Sequence, residues 1–211
     1  MNTATGIPTA ACEFYAELED NNNRQWWLEN KDTYDAVVRL PMEHLLAELA
    51  PVFGSAKLFR PYRDVRFSPD KSPYKIAQGA FVSNYEGVGF YLQISADGLL
   101  LGGGYHSNSP AQLARFRTAV DAPVSGSALA SIVEALPGAG FDIEGEKLKT
   151  VPRGFPKDHP RAELLKHKTL HAGAMLGCPE WMSTAGSVQE VAARWEQLRP
   201  LVDWVIRYAA P

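Results

Sequence analysis

The chain opens with apolar residues spaced as one face of a helix requires. Phe14, Tyr15 and Leu18 make a modest stripe over residues 8–18. Trp27, Tyr34, Val37 and Val38 continue the 3.6-residue period, and Asn22 with Gln25 three positions on has the composition of a capping box before it. Pro41 then opens a further helix with Leu45, Leu46 and Leu49 inward, because proline is tolerated in a first turn. The period next changes to two. Val88, Phe90, Leu92 and Ile94 alternate with Gly89, Tyr91, Gln93 and Ser95, the pattern of a strand. Glu86-Gly87 and Asp97-Gly98 are hairpin-turn dipeptides, so a three-stranded antiparallel meander is expected over residues 76–85, 88–96 and 99–105.

Helical signals return afterwards. Ser109-Pro110-Ala111-Gln112 combines an N-cap, a proline at the first helical position and a capping-box glutamine, ahead of Leu113, Phe116 and Val120. A second helix is expected over 127–136, ending at Pro137-Gly138. Residues 141–176 read as mixed: short strands, a Pro/Gly-rich loop from Val151 to Pro160, a helix near 161–166 and an extended run from Thr169 to Leu176. Ser187 and Glu190 frame a last helix with Val188, Val191, Trp195, Leu198, Val202 and Val205 inward, which Pro200 is expected to kink or break. Helices flank the strands rather than alternate with them. The expected class is therefore α+β, an antiparallel meander packed by N- and C-terminal helices in a single domain over 1–211.

Composition narrows this further. A chain of 211 residues with 45% hydrophobic and 21% charged residues excludes collagen-like, coiled-coil and disordered classes. Cys12 and Cys178 have no CxxC or dense spacing, so no disulfide framework is expected and a reducing compartment fits. Residues 1–11 have neither a basic nor an apolar leader region, and the longest uncharged stretch, Gly98 to Ala114, is interrupted by Gly, Ser, Asn and Pro. The expectation is a cytoplasmic protein with no membrane partner; nothing in the sequence sets an oligomeric state.

The formal net charge of −3 is unevenly spread. Residues 57–75 carry +4 and residues 147–168 carry +5, leaving −12 on the other 170 residues. No GxSxG elbow, GxxxxGK[ST] phosphate loop or HExxH zinc helix accompanies these stretches. His167 and His171 have a helical metal-ligand spacing, but the segment from Thr169 reads as extended, so no metal and no cofactor are expected. Gly102-Gly103-Gly104 matches no nucleotide fingerprint and reads as close backbone packing.

The chemistry-bearing stretch runs from Arg60 to Lys75. Read as extended, it turns Val65 and Phe67 to one side and Asp64, Arg66 and Ser68 to the other, before a type I turn over Ser68-Pro69-Asp70-Lys71. Three prolines after Arg60 stiffen it, so its charges are fixed at a lower entropic cost. An arginine held by a neighbouring aspartate keeps outward donors for a carboxylate or phosphate. The competing reading is an internal salt-bridge network. The second stretch offers Arg153, His159 and Lys168 on or beside a loop stiffened by Pro152, Pro156 and Pro160, whereas Lys157, Arg161 and Lys166 read as a solvated face.

Asn22-Asn23-Arg24-Gln25-Trp26 with Lys31 and Tyr34, followed by RDxRFSxDKSPYK over 63–75, resembles the bacterial and fungal family filed as domain of unknown function 2461. Gly103-Gly104-Tyr105 and Gly154-Phe155-x-x-x-His159-Pro160 with Lys168 resemble its later motifs, so the likeness runs from about Phe14 to Trp204; Trp27 stands where phenylalanine would be expected. The resemblance implies one intact α+β domain, a cytoplasmic protein, and a single site built from the separate motif segments. It implies no substrate.

Three functions follow from these residues. The first is a pocket for an anionic small molecule, possessing or lacking enzymatic activity, with Arg63, Arg66, Lys71, Tyr74, Lys75, Arg153 and Lys168 binding and His159 or Asp64 as the proton carrier. The second is a structural or interaction protein whose charged cluster is an internal network. The third, nucleic-acid binding, is disfavoured by the −12 elsewhere.

Overall fold

Turn chemistry fixes the centre of the molecule. In the computed structural model, which describes residues 6–64, 66, 69–105 and 109–210, the meander forms where the turn dipeptides place it: β2 (Ala77–Tyr85), β3 (Val88–Ser95) and β4 (Gly98–Tyr105). Gly87 and Gly98 both take positive φ, at 73° and 108°, conformations that a side chain would strain. With β1 (Ser55–Leu58), β5 (Asp142–Glu144) and β6 (Leu170–Met175), the strands form a six-stranded antiparallel sheet of order β1-β2-β3-β4-β6-β5. The class is α+β, as expected. Its last strand in sequence is inserted between β4 and β5, with Ile143 opposite Ala172.

The chain divides into two interleaved units, residues 1–82, 91–101 and 175–193 in the first and 83–90, 102–174 and 194–211 in the second. The first holds α1 (Ala10–Asp20), α2 (Arg24–Tyr34) and α3 (Leu40–Phe53). Phe14, Tyr15 and Leu18 are buried as the stripe predicts, and Leu45, Leu46 and Leu49 line α3. Asn23, not Asn22, caps α2 and accepts the Trp26 amide at 3.0 Å. Between α2 and α3 the chain does not stop. Residues Asp35–Arg39 form a π-turn, in which the Leu40 amide reaches back to the Asp35 carbonyl. Tyr34 and Val38 are both buried here, while Asp35 pairs outward with Lys31 at 2.8 Å and Arg39 at 2.7 Å.

Against expectation, Cys12 and Cys178 are joined in a disulfide. They stand 166 residues apart in the chain and side by side in this unit, a proximity that spacing does not encode.

The second unit holds α4 (Pro110–Asp121), α5 (Pro123–Ala135), α6 (Ala162–Leu165) and most of α7 (Ser187–Tyr208). The capping box at Ser109 and Gln112 is present in both directions. Leu113 is only half-buried, since Gln112, Phe116, Ala119 and Val120 make the inward face. α5 begins four residues earlier than expected because Pro123 itself supplies the first helical position. Pro200 does not break α7. It sits exposed, so the carbonyl it leaves unbonded faces water, while Leu198, Leu201, Val202, Trp204 and Val205 bury the opposite side across it. The glycine triplet packs as the plain reading predicts: a Cβ on Gly103 would meet Leu198 and Phe90 at 3.3 Å, and one on Gly104 would lie 2.6 Å from the Leu170 carbonyl oxygen. Among the described residues, no single helix is long and apolar enough to cross a membrane.

Candidate functional site

Beyond β1 the chain keeps its antiparallel pairing. Phe59 donates to Gly79, Lys75 to Pro61 at 2.8 Å and Arg63 to Pro73 at 2.9 Å, so residues 59–63 and 73–79 form a ribbon that carries the loop 64–72. Tyr62 and Tyr74 oppose each other across it. In that register the backbone N–H and C=O of Tyr74 point away from the Tyr62 strand and need another partner. Asn22 supplies both: its amide donates to the Tyr74 carbonyl at 3.0 Å, and its carbonyl accepts the Tyr74 N–H at 3.1 Å. This explains why the cap moves to Asn23. The first asparagine of the pair is committed to the ribbon.

Aromatic rings hold the other side. Trp27 stacks on Tyr74 at 4.2 Å with an 11° tilt, and Tyr62, Tyr34 and Phe14 lie around it. The Tyr34 hydroxyl donates to Gln78 at 2.6 Å, and the Gln78 amide donates to the Phe59 carbonyl at 2.6 Å. Burial raises the Tyr34 and Tyr74 hydroxyls above the usual range. The first two motif segments therefore meet. They meet through structure: Asn22, Trp27 and Tyr34 make a cradle for the ribbon.

Charges in the loop are largely matched to one another. Arg63 pairs with Asp70. Asp70 also accepts the Ser72 hydroxyl at 2.6 Å and its amide at 2.8 Å, and these bonds, with Arg63, hold its carboxyl at about 2. Asp64 takes Arg66 in a two-point pair at 2.9 and 2.6 Å, which lowers its carboxyl in turn. A carboxylate held ionised so firmly is suited to anchoring and is a poor proton carrier near neutrality. Lys71 is exposed. The alternation assigned to Val65 and Phe67, and the turn led by Ser68, lie outside the described residues.

Lys75 differs from these cations. It is half-buried, with its ammonium 5.5 Å from the Phe59 ring centre. Burial first, and the Arg60 charge second, depress its affinity for a proton. Among the described residues neither Lys75 nor Arg60 forms an ion pair, although Arg60 also bears on Asp64. Two like charges thus act on each other at the base of the ribbon. Arg60 was legible as part of the basic stretch but is not among the residues assigned to the site from sequence; nothing in its spacing separates it from the paired arginines.

The second basic stretch belongs to the second unit. His159 is almost enclosed, with its side chain 7% exposed. Its Nδ1 accepts the Arg161 amide at 3.0 Å and its Nε2 faces Asp121 at 3.1 Å, so both ring nitrogens are taken. Arg161 donates to the Val120 and Asp121 carbonyls at 2.6 and 2.7 Å and closes the C-terminal end of α4. Lys168 reaches Glu146 at 3.3 Å, and Arg153 stands exposed beside Gly154, whose φ is 96°. His167 is buried and donates from Nδ1 to the Thr169 carbonyl at 2.8 Å, burial lowering its proton affinity. Among the described residues, no three His, Cys, Asp or Glu side chains are grouped to hold a metal ion. This unit also carries a shallow groove of about 460 Å³ between α4, α5 and Tyr208, lined by three alanines, Thr118, Ser125 and Arg115, the last bonded to the Ala209 carbonyl.

Comparison with curated proteins and with solved structures finds no match. A family model described as a conserved hypothetical protein, DUF2461, matches residues 10–204, a span that takes in the Asn22 cradle, the whole ribbon and the His159 network. With nearly the full chain matched, the protein belongs to the DUF2461 family.

Proposed function

We propose that the protein binds a small phosphate- or carboxylate-bearing molecule at the Arg60–Lys75 pair at the base of the ribbon. The observation that carries this reading is the repulsive pair itself. Arg63 and Arg66 have aspartates to neutralise them, whereas Arg60 and Lys75 bear on each other with no ion pair among the described residues. An anion bridging them would remove the repulsion and supply the missing counter-charge. The Asn22 and Trp27 cradle fixes the backbone on either side, which lowers the ordering cost of binding. Arg63, Arg66, Lys71 and Tyr74 enter as the frame of the site rather than its contacts, and Arg153 and Lys168 have no assigned part in it. No reaction is assigned. A cytoplasmic location belongs to the same proposal, and fractionation of the expressing cells tests it.

Thermal unfolding with inorganic phosphate or citrate, at ionic strength matched by chloride, tests the binding. Stabilisation that saturates and disappears in both Arg60→Gln and Lys75→Gln supports the site, at about 2–4 °C for each kcal/mol of linkage in a chain this long. A rise that survives both substitutions, or no rise with any anion tested, defeats it. Retention of an oligonucleotide at low salt, lost steeply as salt increases, would instead support the nucleic-acid reading.

A further inference from the structure

The two cysteines take no part in the ribbon, and their exposures differ in a way that bears on chemistry. Cys12 lies on the buried side of α1, 7% exposed. Cys178 is exposed in the Gly177-Cys178-Pro179 turn after β6. That turn is held from behind. The Gly177 carbonyl accepts the Leu99 amide at 2.8 Å, the Leu176 amide returns to the Leu99 carbonyl at 2.8 Å, and a Cβ on Gly98 would lie only 2.1 Å from the Gly177 carbonyl oxygen. α1 has its own anchorage besides the disulfide: Ile7 donates to the Met182 carbonyl at 2.8 Å, and Phe14, Tyr15 and Leu18 are buried. Opening the S–S bond therefore does not release the helix. Thiol–disulfide exchange requires a thiolate to reach one sulfur, and access decides which.

We propose that Cys12–Cys178 is a reversible exchange site for a low-molecular-weight thiol of the glutathione class, entered at Cys178 and resolved by Cys12. In the reducing direction a glutathione thiolate attacks Cys178 Sγ, a new S–S bond forms there, and the bond to Cys12 breaks. Its electron pair leaves on Cys12 Sγ, which takes a proton from water. A second glutathione thiolate then attacks the glutathione sulfur of the mixed disulfide. Oxidised glutathione departs, and Cys178 Sγ leaves as a thiolate that is protonated in turn. The protein disulfide has gained the two electrons that two glutathiones lost. In the oxidising direction the Cys178 thiolate attacks oxidised glutathione, one glutathione leaves, and the Cys12 thiolate displaces the second. The buried partner thus sits where it can resolve but cannot be captured first.

The test uses the full chain, oxidised, incubated with glutathione well below its unfolding temperature, quenched in acid, alkylated and mapped by mass spectrometry. The expected result is glutathione on Cys178 and alkylation on Cys12, with an opening rate proportional to glutathione concentration. Cys12→Ser exposed to oxidised glutathione should accumulate the mixed disulfide at Cys178, because the resolving thiol is gone; Cys178→Ser should leave Cys12 unmodified. Glutathione found on Cys12 would overturn the proposal. So would an opening rate independent of glutathione and equal to the rate of global unfolding, the behaviour of a purely structural bond. Failure of the two thiols to pair in oxidised glutathione overturns it as well. None of these readouts depends on a ligand at Arg60 and Lys75.

Discussion

The two basic stretches have nearly the same composition and different uses. Around 57–75 the cations are drawn into short loops with their own acids: Arg63 with Asp70, Arg66 with Asp64. Around 147–168 Lys166 also pairs locally with Glu163, but Arg161 is drawn to the backbone at the end of α4 and His159 to Asp121, 38 residues away. Among the described residues, local pairing leaves Lys57, Arg60 and Lys75 without an ion pair, and of these Arg60 and Lys75 bear on each other. In the second stretch Arg153 stands exposed. Excess charge alone does not mark a site; a cation held near a like charge, on a rigid support, is the stronger sign.

Substitutions can break that contrast, and the largest effect belongs to the support. Trp27 is 2% exposed and stacked on Tyr74, so Trp27→Ala should cost about 3–5 kcal/mol in denaturant unfolding. Next comes the second stretch. Arg161→Ala strips two carbonyls at the end of α4 of their donors and should cost about 1.5–3 kcal/mol, without altering any anion response. Asn22→Ala removes both partners of the half-buried Tyr74 backbone, a loss of about 1–3 kcal/mol, and should weaken phosphate stabilisation as the ribbon loosens. Asp70 gives a pH-dependent test. Its native carboxyl is held down to about 2, below the unfolded value, so its contribution is complete above the unfolded value and fades as pH falls towards 2. Stability profiles of wild type and Asp70→Asn should therefore run apart by a constant amount above about pH 4 and close as pH falls through about 2. Smallest is Arg66→Ala: its side chain is 76% exposed, and the unfolding midpoint should stay close to that of wild type. A large loss there would mean that the loop is a structural network after all.

Much of the fold was legible because local chemistry and packing agree. The hairpin dipeptides placed three strands within two residues, and the Ser109 box placed α4 to the residue. Where reading failed, a distant partner decided. Asn22 looks like a cap and is instead taken by Tyr74, 52 residues on. Of the kink or break that Pro200 allows, the break does not occur, because burial on both sides of it carries α7 through. The π-turn at Asp35–Arg39 has no signature in a 3.6-residue pattern that continues on either side. The site shows the same division. The motif marks the ribbon, but which of its cations have aspartate partners depends on loop geometry, as do the contacts of Asp64 with Arg66 and of His159 with Asp121 and Arg161, none of which spacing encodes.

The disulfide also has a mechanical consequence. When it is closed, a pull applied between the two chain ends travels from residue 12 to residue 178 through a single covalent bridge. The chain between them, closed by cysteines 166 positions apart, is then shielded from tension, whatever its secondary structure. Stretched as a single molecule, the oxidised protein should release only the length of its two tails. Reduction should add roughly 55–60 nm of extension, at about 3.3–3.6 Å for each freed residue. A thiol in the surrounding solution would thereby set how much of this molecule can bear load.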